Sequence, residues 1–244
     1  MDKPVIEASR HIYGNIQRVL ERIEHAASIS GRSPQSIKLV VVTKKQPLEL
    51  IHAVIESGIC YLGENYPDEA LPKIDALSAY QQIKWHMIGH VQSRKAELVS
   101  FKFDYIHSLD SLKLAERYDR FAALHHRKLP VLLQFNVSAE ETKSGWDAWD
   151  KQQWIQLIPD LEKIVAMQNL RIHGLMTMPP YTENPEDARP YFVRLARLRD
   201  YLATRFPHSD WSELSMGMSG DYEVAIQEGA TWVRIGQAIL GPRS

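Results

Sequence analysis

The chain has one cysteine in 244 residues, Cys60, which excludes an internal disulfide framework and any thiolate-rich metal site. It reads as a small buried hydrophobe and suits a reducing cytoplasm. No apolar stretch approaches the length of a membrane span, and the N-terminus "MDKPVIEASRHIYGNIQRVLERIEHAA" is charged throughout, without the apolar core of a secretion signal. The expectation is a soluble cytoplasmic protein with no membrane contact. A formal net charge of -1 gives no electrostatic footprint for nucleic acid. No G-x-G-x-x-G follows the first predicted strand, and no linker or composition shift divides the chain. These absences disfavour a doubly wound sheet and a two-domain reading. Without G-x-S-x-G there is no serine-hydrolase elbow, and without H-x-x-x-H or H-E-x-x-H spacing His86 and His173 make no metal pair. No metal is expected. Tandem repeats and low-complexity tracts are also missing.

What remains is one rhythm. An amphipathic helix over Pro4 to Ala27 carries Ile12, Ile16, Val19, Leu20 and Ile23 at helical spacing. Strands follow at "IKLVVVT", "CYLGE", "IKWHMIG", "YIHSLD", "LPVLLQFNV", "LRIHGLMTM", "WSELSMGM" and "WVRIGQAI". Helical segments alternate with them over 47–57, 67–77, 93–99, 111–126, 147–167, 185–206 and 222–228. Trp146, Trp149 and Trp154 fall about one helical turn apart and read as packing residues. The count of about eight strands, each but the last followed by a helix, closes a single (β/α)8 TIM barrel. The whole chain, 1–244, is one domain, with a leading helix within 1–30 and the barrel over 37–244.

In such barrels chemistry collects at the C-terminal strand ends. There the first strand offers Lys44, the second Glu64 and Asn65, the third His86, the fifth Asn136, and the sixth His173 followed by Met176 and Met178. Strand residues alternate between faces, so of Lys44 and Lys45 one points into the barrel and the other out. An inward lysine amine is a nucleophile for a carbonyl. The last two strand ends, "SMGMSGD" and "RIGQAILG", place Ser215, Gly217, Ser219, Gly236 and Gln237 where backbone amides and hydroxyls cradle a phosphate. Arg234 lies two residues before Gly236 on the same side of the pleat. It is either an ion-pair partner of Glu213 or Glu223, or a donor aimed at a ligand heteroatom. An inward lysine, an arginine and a phosphate cradle together point to a phosphorylated aldehyde, pyridoxal 5'-phosphate.

The blocks "VVTKK", "GENY", "WHMIGHVQSRK", "NVSAEETKSG", "HGLMTM" and "LSMGMSGDYEVAIQEGATWVRIGQAILG" resemble, in order and from residue 37 onward, the pyridoxal phosphate homeostasis proteins. The resemblance implies a barrel of the alanine racemase N-terminal domain type, with the cofactor held as a Schiff base on Lys44. It also implies Arg234 at the pyridine nitrogen, and Ser215, Ser219, Gly236 and Gln237 around the phosphate. Asn65 and Met176 would touch the ring or its substituents, with His86 close by. Members of the family buffer and deliver the cofactor, so pyridoxal phosphate and cofactor-dependent apo-enzymes are the implied partners. The chain departs from the family pattern at "KKQP", at Arg94, where asparagine is usual, and at Gly220, where an acidic residue is common.

Carrier and enzyme make different demands on this site. An arginine beside the pyridine nitrogen disfavours its protonation and weakens the ring as an electron sink. Racemases of this barrel type take a second base from a further domain, and none follows here. The expectation is therefore storage and delivery of pyridoxal phosphate without turnover, by a monomer. The alternatives are an amino-acid racemase or lyase with Lys44 as its single base, and a module that senses the cofactor for a partner protein.

Overall fold

The structure is a computed structural model that describes residues 3–241. Helix α1 (Lys3–Ile29) leads into β1 (Lys38–Val42), α2 (Leu48–Glu56), β2 (Tyr61–Glu64), α3 (Pro67–Ala76) and β3 (Lys84–Met87). Next come α4 (Ala96–Lys102), β4 (Tyr105–Leu109), α5 (Leu112–Leu124), β5 (Leu129–Asn136), β6 (Trp146–Asp147) and α6 (Lys151–Val165). The chain continues through β7 (Leu170–Met176), α7 (Arg189–Arg205), β8 (Glu213–Ser215), α8 (Tyr222–Gln227), β9 (Trp232–Ile235) and α9 (Gln237–Leu240).

Among the described residues the strands hydrogen-bond in the order β4-β3-β2-β1-β9-β8-β7-β5-β6, and a further β4–β5 pairing closes the ring. Neighbours are parallel throughout, as expected when each strand returns through a helix. Leaving aside β6, a two-residue addition at the edge of β5, this is the predicted (β/α)8 barrel. Two apolar cores result. The larger lies between the strands and their helices, and a smaller one built on Val40, Leu132, Met176 and Trp232 fills the barrel itself.

Helix α1 buries Ile12, Ile16, Val19 and Ile23, whereas Leu20, expected on the same stripe, is 40% exposed. It packs against α2, α8 and α9, which is where a helix after the last strand would lie. The four-residue α9 is too short to cover that flank, so the leading helix supplies the cover. Asn15 Nδ2 donates to Ile239 O at 2.8 Å, and Arg32 Nη1 donates to Ile226 O and Ala230 O at 2.8 and 2.7 Å.

Three local expectations need correction. The helix placed over 147–167 starts at Lys151, because Asp150 forms a capping box with Gln153, and Trp146 instead pairs with Phe135 in β6. The tryptophans therefore do not share one helix. The last strand stops at Ile235 and turns into α9 through Gly236. Cys60 is half-buried rather than buried, with its thiol 3.7 Å from Gly58 O.

Candidate functional site

The pleat carries Val40 into the barrel core, and Val42 and Lys44, two and four residues on, into a cavity at the C-terminal mouth. Lys44 is half-buried and Lys45 exposed. Regular pairing ends at Val42, so Lys44 and Lys45 sit on a turn, with Lys45 at φ 59°. Thr43 faces the other way. Its hydroxyl donates to Glu64 Oε1 at 2.7 Å, and Glu64 is fully buried outside the cavity. The strand-end carboxylate therefore supports the turn rather than the pocket.

The cavity measures about 330 Å³, within the range of about 300–1,000 Å³ usual for small-molecule sites. Lys44, Asn65, Ser219, Arg234, Gly236 and Gln237 all line it. Their chemistry fits a phosphorylated aldehyde: an amine, a guanidinium, and hydroxyl and amide donors on the two loops after β8 and β9. Gly236 keeps the second loop close to β1, since a Cβ there would lie 3.2 Å from Val42 Cβ. Gly217 has φ +94° and no room for a side chain, with Ala225 Cβ 2.7 Å from where its Cβ would stand.

Four expected residues stand lower. His86, Met176, Ser215 and Gly217 are not in the cavity wall; Ile88 and Met178 line it instead. Met176 and Met178 stand one above the other, Met176 in the barrel core and Met178 in the cavity wall. Asn136 is also held elsewhere, donating from Nδ2 to Glu140 O and Asp147 Oδ1. His173 pairs through Nδ1 with Asp210 at 2.8 Å.

Beneath the cavity runs a hydrogen-bonded chain whose key member sequence reasoning missed. Arg234, 3% exposed, donates from Nη2 to Thr177 O at 2.9 Å and from Nη1 to Ser215 Oγ at 2.5 Å. Neither Glu213 nor Glu223 pairs with it. Glu213 takes Lys38, Tyr105 and Trp232, while Glu223 takes Arg22. Ser215 Oγ lies 2.8 Å from His107 Nδ1, and His107 Nε2 lies 2.9 Å from His86 Nδ1. With Arg234 donating to Ser215 Oγ, the arrangement that gives the buried serine proton an acceptor has Ser215 donating to His107 Nδ1 and His107 Nε2 donating in turn to His86 Nδ1. Both rings are thus neutral with their protons on Nε2. Burial, with a smaller contribution from Lys38, holds His86 down at about 3, and burial holds His107 well below the ordinary value. Burial also lowers Arg234 to about 10, against a partly offsetting Asp221, so the guanidinium stays charged at neutral pH. The histidines stack in an aromatic floor: His86 lies 5.3 Å from the Tyr105 ring, 4° from parallel, and 4.9 Å from Trp232. His107 sits mid-strand in "YIHSLD", and alternation alone gives it no mark of function.

Asp221 is a second residue that sequence reasoning passed over. It lines the cavity while its Oδ1 accepts from Met218 N at 2.6 Å, and burial raises its carboxyl above the ordinary range. The aspartate thus shapes the glycine-rich loop from within. Its signal was the "MSGD" spacing, in which a carboxylate reaches back three residues to a backbone N–H, as the acidic residue of a capping box does.

Comparison with known proteins agrees with this architecture. Residues 15–244 match the family model described as alanine racemase, N-terminal domain. A pyridoxal phosphate homeostasis protein from Aquifex aeolicus is 40% identical over 232 residues, 93% of this chain and 96% of the relative. A crystal structure of an unknown protein from Bifidobacterium adolescentis superposes with a TM-score of 0.87 at 34% identity, covering 98% of this chain and 97% of that one. The structure of PipY from Synechococcus elongatus with PLP bound gives a TM-score of 0.77 at 33% identity, covering 90% and 100%.

Proposed function

Because the chain belongs to the family of pyridoxal phosphate homeostasis proteins, we propose that it binds pyridoxal 5'-phosphate and serves in its storage and delivery. One observation carries the reading: Lys44, Asn65, Arg234, Ser219, Gly236 and Gln237, drawn from four strand ends, converge on one cavity. When bound, the cofactor supplies an aldehyde that Lys44 takes up as a Schiff base, with release of one water. Ser219 and the loop amides around Gly236 and Gln237 bind the phosphate dianion. Asn65 is fixed beside the ring by Gly89, where a Cβ would lie 2.4 Å from Asn65 O. Arg234 is oriented by Thr177 and Ser215 and presents a positive charge that opposes protonation of the ring nitrogen.

That charge weakens the ring as an electron sink and so narrows the chemistry open to a racemase or lyase with Lys44 as its single base. Delivery implies cofactor-dependent apo-enzymes as recipients. A monomer is supported by α1, which covers the flank between α8 and α2. Among the described residues no helix is long and apolar enough to cross a membrane. The single cysteine suits a reducing, cytoplasmic site of action.

The test is the absorbance spectrum of wild type beside Lys44→Ala with added pyridoxal phosphate, followed by borohydride and peptide mass mapping. A band lost in the variant and a pyridoxyl adduct on Lys44 are expected. Cofactor binding with neither band nor adduct at Lys44 would sink the assignment.

A further inference from the structure

The turn that presents Lys44 is gripped by an ion cluster on the far side of β1. Thr43 N donates to Gly63 O at 3.0 Å and Gln46 N to Thr43 O at 3.1 Å, while Lys45 between them takes a left-handed conformation that a lysine rarely adopts. Lys73, on α3 and 7% exposed, spends its ammonium on three acceptors: Thr43 O at 2.8 Å, Glu64 Oε1 at 2.9 Å and Glu69 Oε1 at 2.6 Å. Glu64 also holds the Thr43 hydroxyl, and the Lys45 N–H donates to Glu69. The carbonyl and hydroxyl before Lys44 and the amide after it are therefore tied to one buried cluster.

We propose that Lys73, clamped between Glu64 and Glu69, is a positioning residue that fixes the Thr43–Gln46 turn and so aims the Lys44 amine into the cavity. This rests on the reading of Lys44 as the residue that takes up the aldehyde. Lys73 itself belongs to α3 and is not in the cavity wall. A buried ion pair stabilises a fold no better than apolar side chains of equal volume, so stability alone does not call for one here. What apolar residues cannot do is hold a carbonyl and, through a carboxylate, an amide on either side of Lys44. Glu64 Oε2 has no hydrogen-bond partner among the described residues, and burial raises its carboxyl. Such a site is costly as packing and intelligible as a geometric device. Without the clamp, Lys45 is free to relax to negative φ, which turns the Lys44–Lys45 peptide and swings the amine off its line.

Three variants separate positioning from stability: Lys73→Met, the double variant Glu64→Gln/Lys73→Met, and Glu69→Ala at the more exposed end of the cluster. Three quantities are read: the rate at which the Schiff-base band grows on mixing with pyridoxal phosphate, amide hydrogen exchange over 43–46 in the ligand-free protein, and the urea midpoint. Lys73→Met should slow the band by about tenfold or more, as a small misplacement of a reacting group does, and should speed exchange in the turn. Adding Glu64→Gln removes the unpaired buried charge and should recover the urea midpoint but not the rate. Glu69→Ala, which should fold normally, should slow the band by about threefold. A double variant that forms the band at the wild-type rate, or that leaves exchange over 43–46 unchanged, overturns the role of Lys73. A wild-type protein that forms no band overturns instead the reading of Lys44 on which it rests.

Discussion

Acidification tests the buried histidine chain most directly, through His86. Its imidazole falls from 6.5 in the unfolded chain to about 3 in the fold, chiefly because the ring is removed from water. Between those values the unfolded chain binds a proton that the folded protein does not, so stability falls as pH falls through this window. The whole shift corresponds to about 5 kcal/mol, of which about 3 kcal/mol is felt by about pH 4. That is a large share of the ~5–15 kcal/mol that holds a typical domain together. The proton also breaks the chain itself. A charged His86 has two donors, and its Nδ1 then faces another donor, His107 Nε2, at 2.9 Å. His107 shifts in the same direction, while Glu64, whose carboxyl burial raises, works in the opposite sense. Comparison with His86→Phe, which keeps a flat ring against Tyr105 and cannot titrate, isolates the single residue. Urea unfolding of both proteins from neutral to about pH 4 should show wild type losing about 3 kcal/mol more than the variant. Parallel losses would refute the account of His86 as a buried neutral ring.

Two further outcomes follow from the packing. Ser215→Ala strips the acceptor from Arg234 Nη1 inside the barrel, which should cost about 1–3 kcal/mol and weaken pyridoxal phosphate binding by about tenfold. Unaltered affinity in a cofactor titration would mean that Thr177 O alone orients the guanidinium. Gly174→Ala forces a Cβ to within 1.8 Å of Glu213 O at φ +150°, so the β7–β8 pairing must part. A loss of about 3 kcal/mol or more is expected in urea unfolding, and an unchanged midpoint would contradict the close approach.

The sequence by itself determined what depends on neighbours one or two residues away. Strand alternation from Val40 through Val42 required that one of Lys44 and Lys45 face inward, and the same parity put Arg234 and Gly236 on one side; that Lys44 is the one in the cavity wall is read from the fold. The alternation of apolar strands with amphipathic helices was enough for the barrel, because each segment carries its own period. Height along the barrel axis was not available in this way. His86 and Met176 lie two residues below Ile88 and Met178, which do line the cavity. Two strand residues span roughly 6–7 Å, enough to separate ligand contact from floor. That offset comes from the stagger between neighbouring strands, such as Gly63 against His86 and His86 against Tyr105. Contacts between distant segments were equally hidden. His107 meets Ser215 across 108 positions, Lys73 meets Thr43 across 30, and α1 reaches α9 through Asn15 and Ile239 across 224. Only the closed ring brings these groups together, since burial, pairing and the choice of hydrogen-bond partner belong to the surroundings of a residue and not to its place in the chain.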